Sequence, residues 1–521
     1  MMQDSAHPGR PGGPDAQQET GHLTGQATGQ QAGHDGQQGL QQDIMPDLCV
    51  IGSDAVALAT AAAAAAFGVS VVLVENGETG GAQRDSGALL SKALLAAAAH
   101  VNAMRTGAHF GVKTVRFGVD FNAVRAHIRD ALEAVAPLQS RERLKGLGVR
   151  VIAGAARFVD RKTLAVEGIE IKARRFVIAT GSLPALPAIA GLNETPHFTC
   201  DNILDLAECP RHLIVIGAGP AGLEMAQAFR RLGAEVTVLD RAEPLAQYDR
   251  ECATVVLDAL AREHVTIRSN VMIDAVRQAE VHGQQQVQVE IAAPGESGPD
   301  KETIDGTHIL VAAGRRANLA GLALEAARVR YGPRGVVVNR RLRARNRRVY
   351  AVGEAAGAPA YPQVAHHQAG LVVRNALFRA PLRPDRDAIP LVTYTDPELA
   401  QIGLMEDAAR ARCGAICVLR SSYGENDRAQ ANRATNGHIK IVTDRRGGIR
   451  GATIVGAEAA ENIATFSLAI NQQLNIEALA GLIVPYPSFA EVGKRAAMTY
   501  FTGGLTSPLV RRIIGWLRRF G

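Results

Sequence analysis

The stretch HLIVIGAGPAGLEMAQAFRRLGAEVTVLD, from His212 to Asp240, runs from an apolar strand through a glycine turn into a helix, then into a second apolar strand that ends in an acid. Its turn, Gly217-Ala218-Gly219-Pro220-Ala221-Gly222, has glycine at three critical positions. They serve a tight turn, close approach of backbone to a pyrophosphate, and close helix–strand packing. Asp240 lies 23 residues after Gly217, the distance at which a βαβ unit brings a carboxylate to a ribose hydroxyl. A carboxylate there accepts from a free 2′-hydroxyl and repels a 2′-phosphate, which favours NAD(H). Arg241 beside it leaves NADP(H) open.

The same plan occurs earlier. DLCVIGSDAVALATAAAAAAFGVSVVLVE, Asp47 to Glu75, again sets an acid 23 residues after its first glycine, Gly52. One fingerprint alone is weak. Two in register are strong when each is followed by a strand ending in glycine, FVIATGS with Thr180 and Gly181 and ILVAAGRR with Gly314. From about Ile389 the pattern changes to short alternating runs such as HIKIVTD and GATIVGA, which read as an antiparallel sheet with helices. The expected fold class is α/β, with two Rossmann-like dinucleotide-binding domains and a separate C-terminal α+β domain.

The 521 residues are 47% hydrophobic and 21% charged, enough for several cores. The formal charge of +6 comes from basic residues scattered along most of the chain, which argues against nucleic-acid binding. Six cysteines lie apart from one another, none in Cys-x-x-Cys spacing, as expected of reduced thiols in the cytoplasm. Cys413 and Cys417 in ARCGAICVLR read as buried thiols on one side of a strand. No basic region followed by an apolar core marks an export signal, and the Ala-rich run from Ala55 to Val74 is broken by Gly68. Residues 1–43, rich in Gly and Gln, read as a disordered tail. The irregular spacing of His7, His22 and His34 there does not make a metal site, and no other metal site is expected.

GGAQRDSGALLSKALL, ATGSLP, GAGPAGLE, AAGRRANL, YAVGEAAG, YTDPELAQIG and YPSFAE occur in that order. With these motifs, residues 46–505 resemble the pyridine nucleotide-disulfide oxidoreductase family, which includes dihydrolipoamide dehydrogenase, mercuric reductase and the soluble transhydrogenase. The resemblance implies FAD on the first unit, NAD(P)H on the second, and a homodimer in which the partner completes each active site. The expected order is then an FAD-binding domain in two parts, 44–193 and 309–387, around an NAD(P)-binding domain at 194–308. A dimerisation domain at 388–506 and a basic helix at 507–521 follow.

The resemblance also marks departures. After the glycine pair Gly80 and Gly81, the family has two redox cysteines at positions held here by Gln83 and Ala88. A flavin-to-disulfide relay needs a thiolate, so dihydrolipoamide dehydrogenase activity is disfavoured. The first turn reads Gly52-Ser53-Asp54-Ala55-Val56-Ala57, with Asp54 and Ala57 at the second and third glycine positions. A carboxylate about 4 Å from a phosphate costs roughly 4 kcal/mol at an effective dielectric of 20. Glu75 suits the adenosine ribose. The family pattern further implies an ion pair of Lys92 and Glu224 beside the flavin, and Gly353 with Glu354 at the ribitol. A helix opening at Pro362 would aim the amides of Gln363, Val364 and Ala365 at the flavin ring. Tyr486 stands where disulfide reductases place a histidine, with Glu491 following.

These residues point to hydride transfer from NADH to FAD and onward to a small-molecule electron acceptor that is not a disulfide. A second pyridine nucleotide, a quinone and dioxygen all fit, with Gln83 and Arg84 lining the space. The alternative is a non-catalytic NAD(H)-binding dimer whose FAD site is degenerate. In SPLVRRIIGWLRRFG, Leu509, Ile513, Trp516, Leu517 and Phe520 share one helical side, flanked or opposed by Arg511, Arg512, Arg518 and Arg519. Such a helix either packs on the protein's own dimer or rests weakly on an anionic membrane, at the inner membrane face.

Overall fold

The computed structural model describes residues 44–75, 87–113, 116–281, 284–292, 302–385, 387–505 and 508–520. The tail 1–43, Gly80, Gly81, Gln83 and Arg84 lie outside the described residues.

Both fingerprints form parallel sheets. The first sheet orders its strands Val349–Ala351, Arg175–Ile178, Leu48–Ile51, Val71–Glu75 and Arg150–Ala153, all parallel. LCVI is apolar at every position and VVLVE at all but its terminal Glu75, because helices or further strands cover both faces, and each of these residues is buried. The second sheet orders Thr266–Arg268, Glu235–Leu239, His212–Ile216, His308–Val311 and Phe198–Thr199, again all parallel. The strand His308–Val311 straddles the boundary expected at 308/309, and its ladder bonds place it wholly in the second sheet.

Each first strand feeds a helix through its glycine turn. Ala55–Ala65 is nearly all alanine, a strong helix former, and starts at Asp54, whose Oδ1 accepts from the Ala57 amide at 2.7 Å. Pro220–Leu232 starts with proline at its first turn and stops at Gly233 in a left-handed conformation. The helix Pro362–Phe378 returns the chain to the first unit, where Val364 and Ala365 are buried and Ala365, Ala369 and Val372 share a core with Val56, Ala57 and Ala61.

The C-terminal domain is an antiparallel sheet ordered Leu391–Thr393, Glu398–Gly403, Ile449–Gly456, His438–Asp444 and Ile416–Ser422, backed by helices Ala459–Asn471 and Glu491–Leu505. Here the reading of Cys413 and Cys417 as one strand is corrected. Cys413 ends the helix Glu406–Cys413 and only Cys417 lies in a strand, because Gly414 breaks the run; both thiols are free and half-buried.

Buried ions join this domain to the second unit. Lys440 Nζ meets Asp249 Oδ2 at 2.7 Å with both side chains buried, and Arg231 meets Glu263 and Asp396 at 2.6 and 2.7 Å. Burial works against the Lys440 charge, but three carboxylates, Asp249, Glu406 and Glu251, hold its pKa above the ordinary lysine range.

At Gly222 the second fingerprint helix lies close against its own glycine turn. A Cβ there would lie 1.9 Å from the Gly217 carbonyl oxygen, so Gly222→Ala is expected to cost about 1–3 kcal/mol in urea unfolding. A variant as stable as the parent would contradict that packing.

Candidate active site

One cleft is lined by Gly52, Ser53 and Asp54 of the first turn, by Thr180 and Gly181, by Arg315 and Glu354, and by Pro362 and Ala365 at a helix start. Gly52 is held at φ +146, and a Cβ on it would lie 1.9 Å from the Ala179 carbonyl oxygen. The turn therefore needs glycine there. Thr180 Oγ1 is buried and has no hydrogen-bond partner among the described residues. Ala57 is buried just inside the first helix.

Asp54 dominates the electrostatics of the cleft. Its Oδ2 would be 2.9 Å from a Cβ built on Gly181, so the carboxyl closes over that glycine. Burial, resisted by the Ala57 amide bond and reinforced by the charge of Glu354, pushes its pKa up to about 7. Glu354 is raised as well, by burial, with Arg315 partly offsetting it. Arg315 is held by Asp201 at 2.7 Å and by the Ser182 hydroxyl at 2.8 Å.

Glu75 ends its strand buried, and the Arg141 guanidinium already pairs with it. Gly353 turns at φ +59 and its amide donates to Gln368 Oε1 at 2.9 Å. The helix does open at Pro362, but the expectation that its amides all face the cleft is corrected. The Val364 and Ala365 amides both donate to the Tyr361 carbonyl, at 3.0 and 3.3 Å, because the first turn winds tightly on that oxygen. Gln363 is exposed, and its side-chain amide donates to the Pro390 carbonyl.

Lys92 and Glu224 come together across 132 residues of sequence. Lys92 Nζ meets Glu224 Oε2 at 2.7 Å, and Glu224 Oε1 accepts from the Tyr394 amide at 2.9 Å. The ammonium also lies 3.9 Å from the centre of the Tyr394 ring, a cation–π contact that sequence reading missed, although Tyr394 opens the motif YTDPELAQIG. Ala88 stands exposed one turn before Lys92 on the helix Gly87–Thr106.

In the second unit, Gly217 and Gly314 turn at φ +117 and +115, and Gly219 caps the helix that contains Gly222. Asp240 Oδ2 accepts from the Ala218 amide at 2.6 Å and Oδ1 from Ala242 at 2.9 Å, which fixes the carboxylate over the glycine turn.

Tyr486 and Glu491 have no hydrogen bond or ion pair to Lys92 or Glu224 among the described residues. Tyr486 is 70% exposed, and its hydroxyl donates to Asp427 Oδ2 at 2.5 Å, which raises its pKa. Ile483, 92% exposed, lies in the same segment, so this apolar surface is uncovered within the single chain. Glu491 Oε2 is buried without a partner among the described residues.

Residues 35–369 match the family model described as pyridine nucleotide-disulphide oxidoreductase, and residues 389–497 match that family's dimerisation domain. The chain belongs to the pyridine nucleotide-disulphide oxidoreductase family. Mercuric reductase of Streptomyces lividans is 34% identical over 464 residues, covering 87% of this chain and 96% of the relative. Dihydrolipoyl dehydrogenase of Geobacillus stearothermophilus is 30% identical over 472 residues, at 87% and 96%. The HOCl-induced flavoprotein disulfide reductase of Escherichia coli superposes with a TM-score of 0.73 at 23% identity, covering 87% of this chain and 99% of that one, a likeness of fold. Members of this oxidoreductase family bind FAD and NAD(P)H, and the dimerisation domain supports a homodimer.

The cleft fits the family's flavin dinucleotide by its glycine cradle at Gly52 and by the unpartnered Thr180 hydroxyl. Asp54 fits it only when protonated. A neutral carboxyl donates to a phosphate oxygen, whereas an ionised one repels it. An acid with a folded pKa near 7 and an ordinary value of 3.8 favours the folded state while protonated, and that stability is lost as pH rises from about 4 to 7. FAD retention, read by flavin fluorescence after ultrafiltration, is therefore expected to fall about tenfold per pH unit above 7. Asp54→Asn keeps the acceptor for Ala57 and removes the charge, so its retention should lose that tenfold fall per pH unit. A flat curve in the parent chain would contradict the assignment.

Proposed function

We propose that the chain is an FAD-dependent NAD(P)H oxidoreductase, working as a homodimer, that passes electrons to an acceptor other than a disulfide. One observation carries this reading: the Lys92–Glu224–Tyr394 arrangement is intact, while no cysteine occurs between Glu75 and Lys92. Other thiols do not replace the relay. Cys200, within electrostatic reach of Arg315 and Glu224, has its pKa pushed up to about 11 by burial and by Asp201, so it stays protonated at neutral pH.

The chemistry FAD supplies when bound is two-electron acceptance from NAD(P)H and release to a second substrate. The turn from Gly52, Thr180, Gly181 and protonated Asp54 would hold the pyrophosphate, Glu75 the ribose, and Glu354 the ribitol. Lys92 would keep a fixed positive charge beside the reacting ring, oriented by Glu224 and shielded from water by Tyr394. In the second unit, Asp240 would accept from a free 2′-hydroxyl, which favours NADH over NADPH. Tyr486 and Glu491, on the apolar surface of the dimerisation domain, would close the partner's site, with the phenol donating a hydrogen bond rather than shuttling protons. A quinone, a second pyridine nucleotide and dioxygen remain the acceptor classes.

A second reading, an NAD(H)-binding dimer without flavin, draws on Asp54 closing over Gly181. It is distinguished by colourless protein that still binds NADH.

Alkylating the accessible thiols of the native holoenzyme should leave NADH-driven dye reduction unchanged, while Lys92→Ala slows flavin reduction about a hundredfold in stopped flow. Loss of activity on alkylation, with protection by dihydrolipoamide, would overturn the proposal.

A further inference from the structure

We infer that the helix Pro508–Leu517 is a docking element for an anionic lipid surface. The match to the family's dimerisation domain ends at Ala497, so this helix lies outside the matched region. Every residue from Arg511 to Phe520 is exposed. Ile513, Trp516, Leu517 and Phe520 recur at helical spacing on one side, with Ile514 at its edge, and they are 47–71% exposed. Trp516 and Phe520 meet edge to face at 4.9 Å, which joins them into one apolar patch. Arg511 and Arg518 oppose this side, Arg512 and Arg519 flank it, and no Asp or Glu occurs after Glu491.

Charge decides the occupant. A second copy packed symmetrically on this helix would bring two sets of four arginines together with no acid on either helix to compensate. Anionic headgroups compensate all four, while the apolar arc enters the acyl boundary and Trp516 sits at the headgroup level. The helix is 10 residues long, about 15 Å, and it lies on a surface rather than crossing one. No helix among the described residues is long and apolar enough to span a membrane. The inference is independent of the acceptor, but docking would bring the flavin site near a lipid-dissolved substrate.

The test is co-sedimentation of the full chain, of a version ending at Thr506, and of Trp516→Ala and Arg518→Gln/Arg519→Gln variants. Mixed phosphatidylglycerol–phosphatidylcholine vesicles are compared with pure phosphatidylcholine vesicles, with sedimentation equilibrium in parallel. The full chain should pellet on the anionic vesicles at low salt, not on the neutral ones, and should be released by high salt as screening shortens. Each arginine is worth about fivefold in partitioning, so the double arginine variant should bind about 25-fold more weakly. The shortened version should stay in the supernatant with its dimer mass unchanged. A full chain that stays in the supernatant, equal pelleting of full and shortened chains, or a dimer mass lost on shortening would overturn the inference.

Discussion

The Glu224 carboxylate is the point on which the arrangement of the three domains turns. It is buried at the start of the second fingerprint helix, and its two oxygens have different tasks: one takes the ammonium of Lys92 from the first unit, the other the amide of Tyr394 from the C-terminal domain. A buried carboxylate without partners costs several kcal/mol, so each partner is held in place by the cost of leaving the other two groups unsatisfied. Lys440 with Asp249 and Arg231 with Glu263 and Asp396 repeat this logic between the second unit and the C-terminal domain. The placement of Lys92, the group proposed to face the reacting ring, follows from this buried framework.

At the first turn, burial acts on a carboxyl with the opposite sign. Asp54 brings an acid into a cleft that already contains Glu354, and neither has a direct basic partner among the described residues; Arg315 acts on Glu354 from its bond to Asp201. The protein meets this by keeping a proton on Asp54 up to about neutral pH while using its oxygen to cap the helix Ala55–Ala65. One side chain thus stabilises the fold through its cap and sets the charge of the proposed phosphate site. A glycine at position 54 would do neither.

Much of this was legible in the sequence because it rests on backbone geometry. Gly52, Gly217 and Gly222 announce their turns by their spacing, and the strands before them by unbroken apolar runs. The Lys92–Glu224 pair was legible only through the family's motif register, since nothing local connects residues 132 apart. What escaped was side-chain chemistry between distant elements. Arg141 covers Glu75 from a short helix with no motif, and Tyr394 covers Lys92 from a loop whose motif carries no sign of that contact. The family pattern offers the Val364 and Ala365 amides to a ligand, but Tyr361 takes them. Cys413 and Cys417 read as one strand until Gly414 is recognised as the helix stop.

On the proposed function, electrons leave the flavin without passing through a cysteine pair. Anaerobic titration of the purified holoenzyme with NADH, followed by visible absorbance, tests it most directly. One equivalent of NADH per FAD should bleach the flavin band completely, with no long-wavelength thiolate charge-transfer band. Consumption of a second equivalent, or appearance of that band, would contradict it.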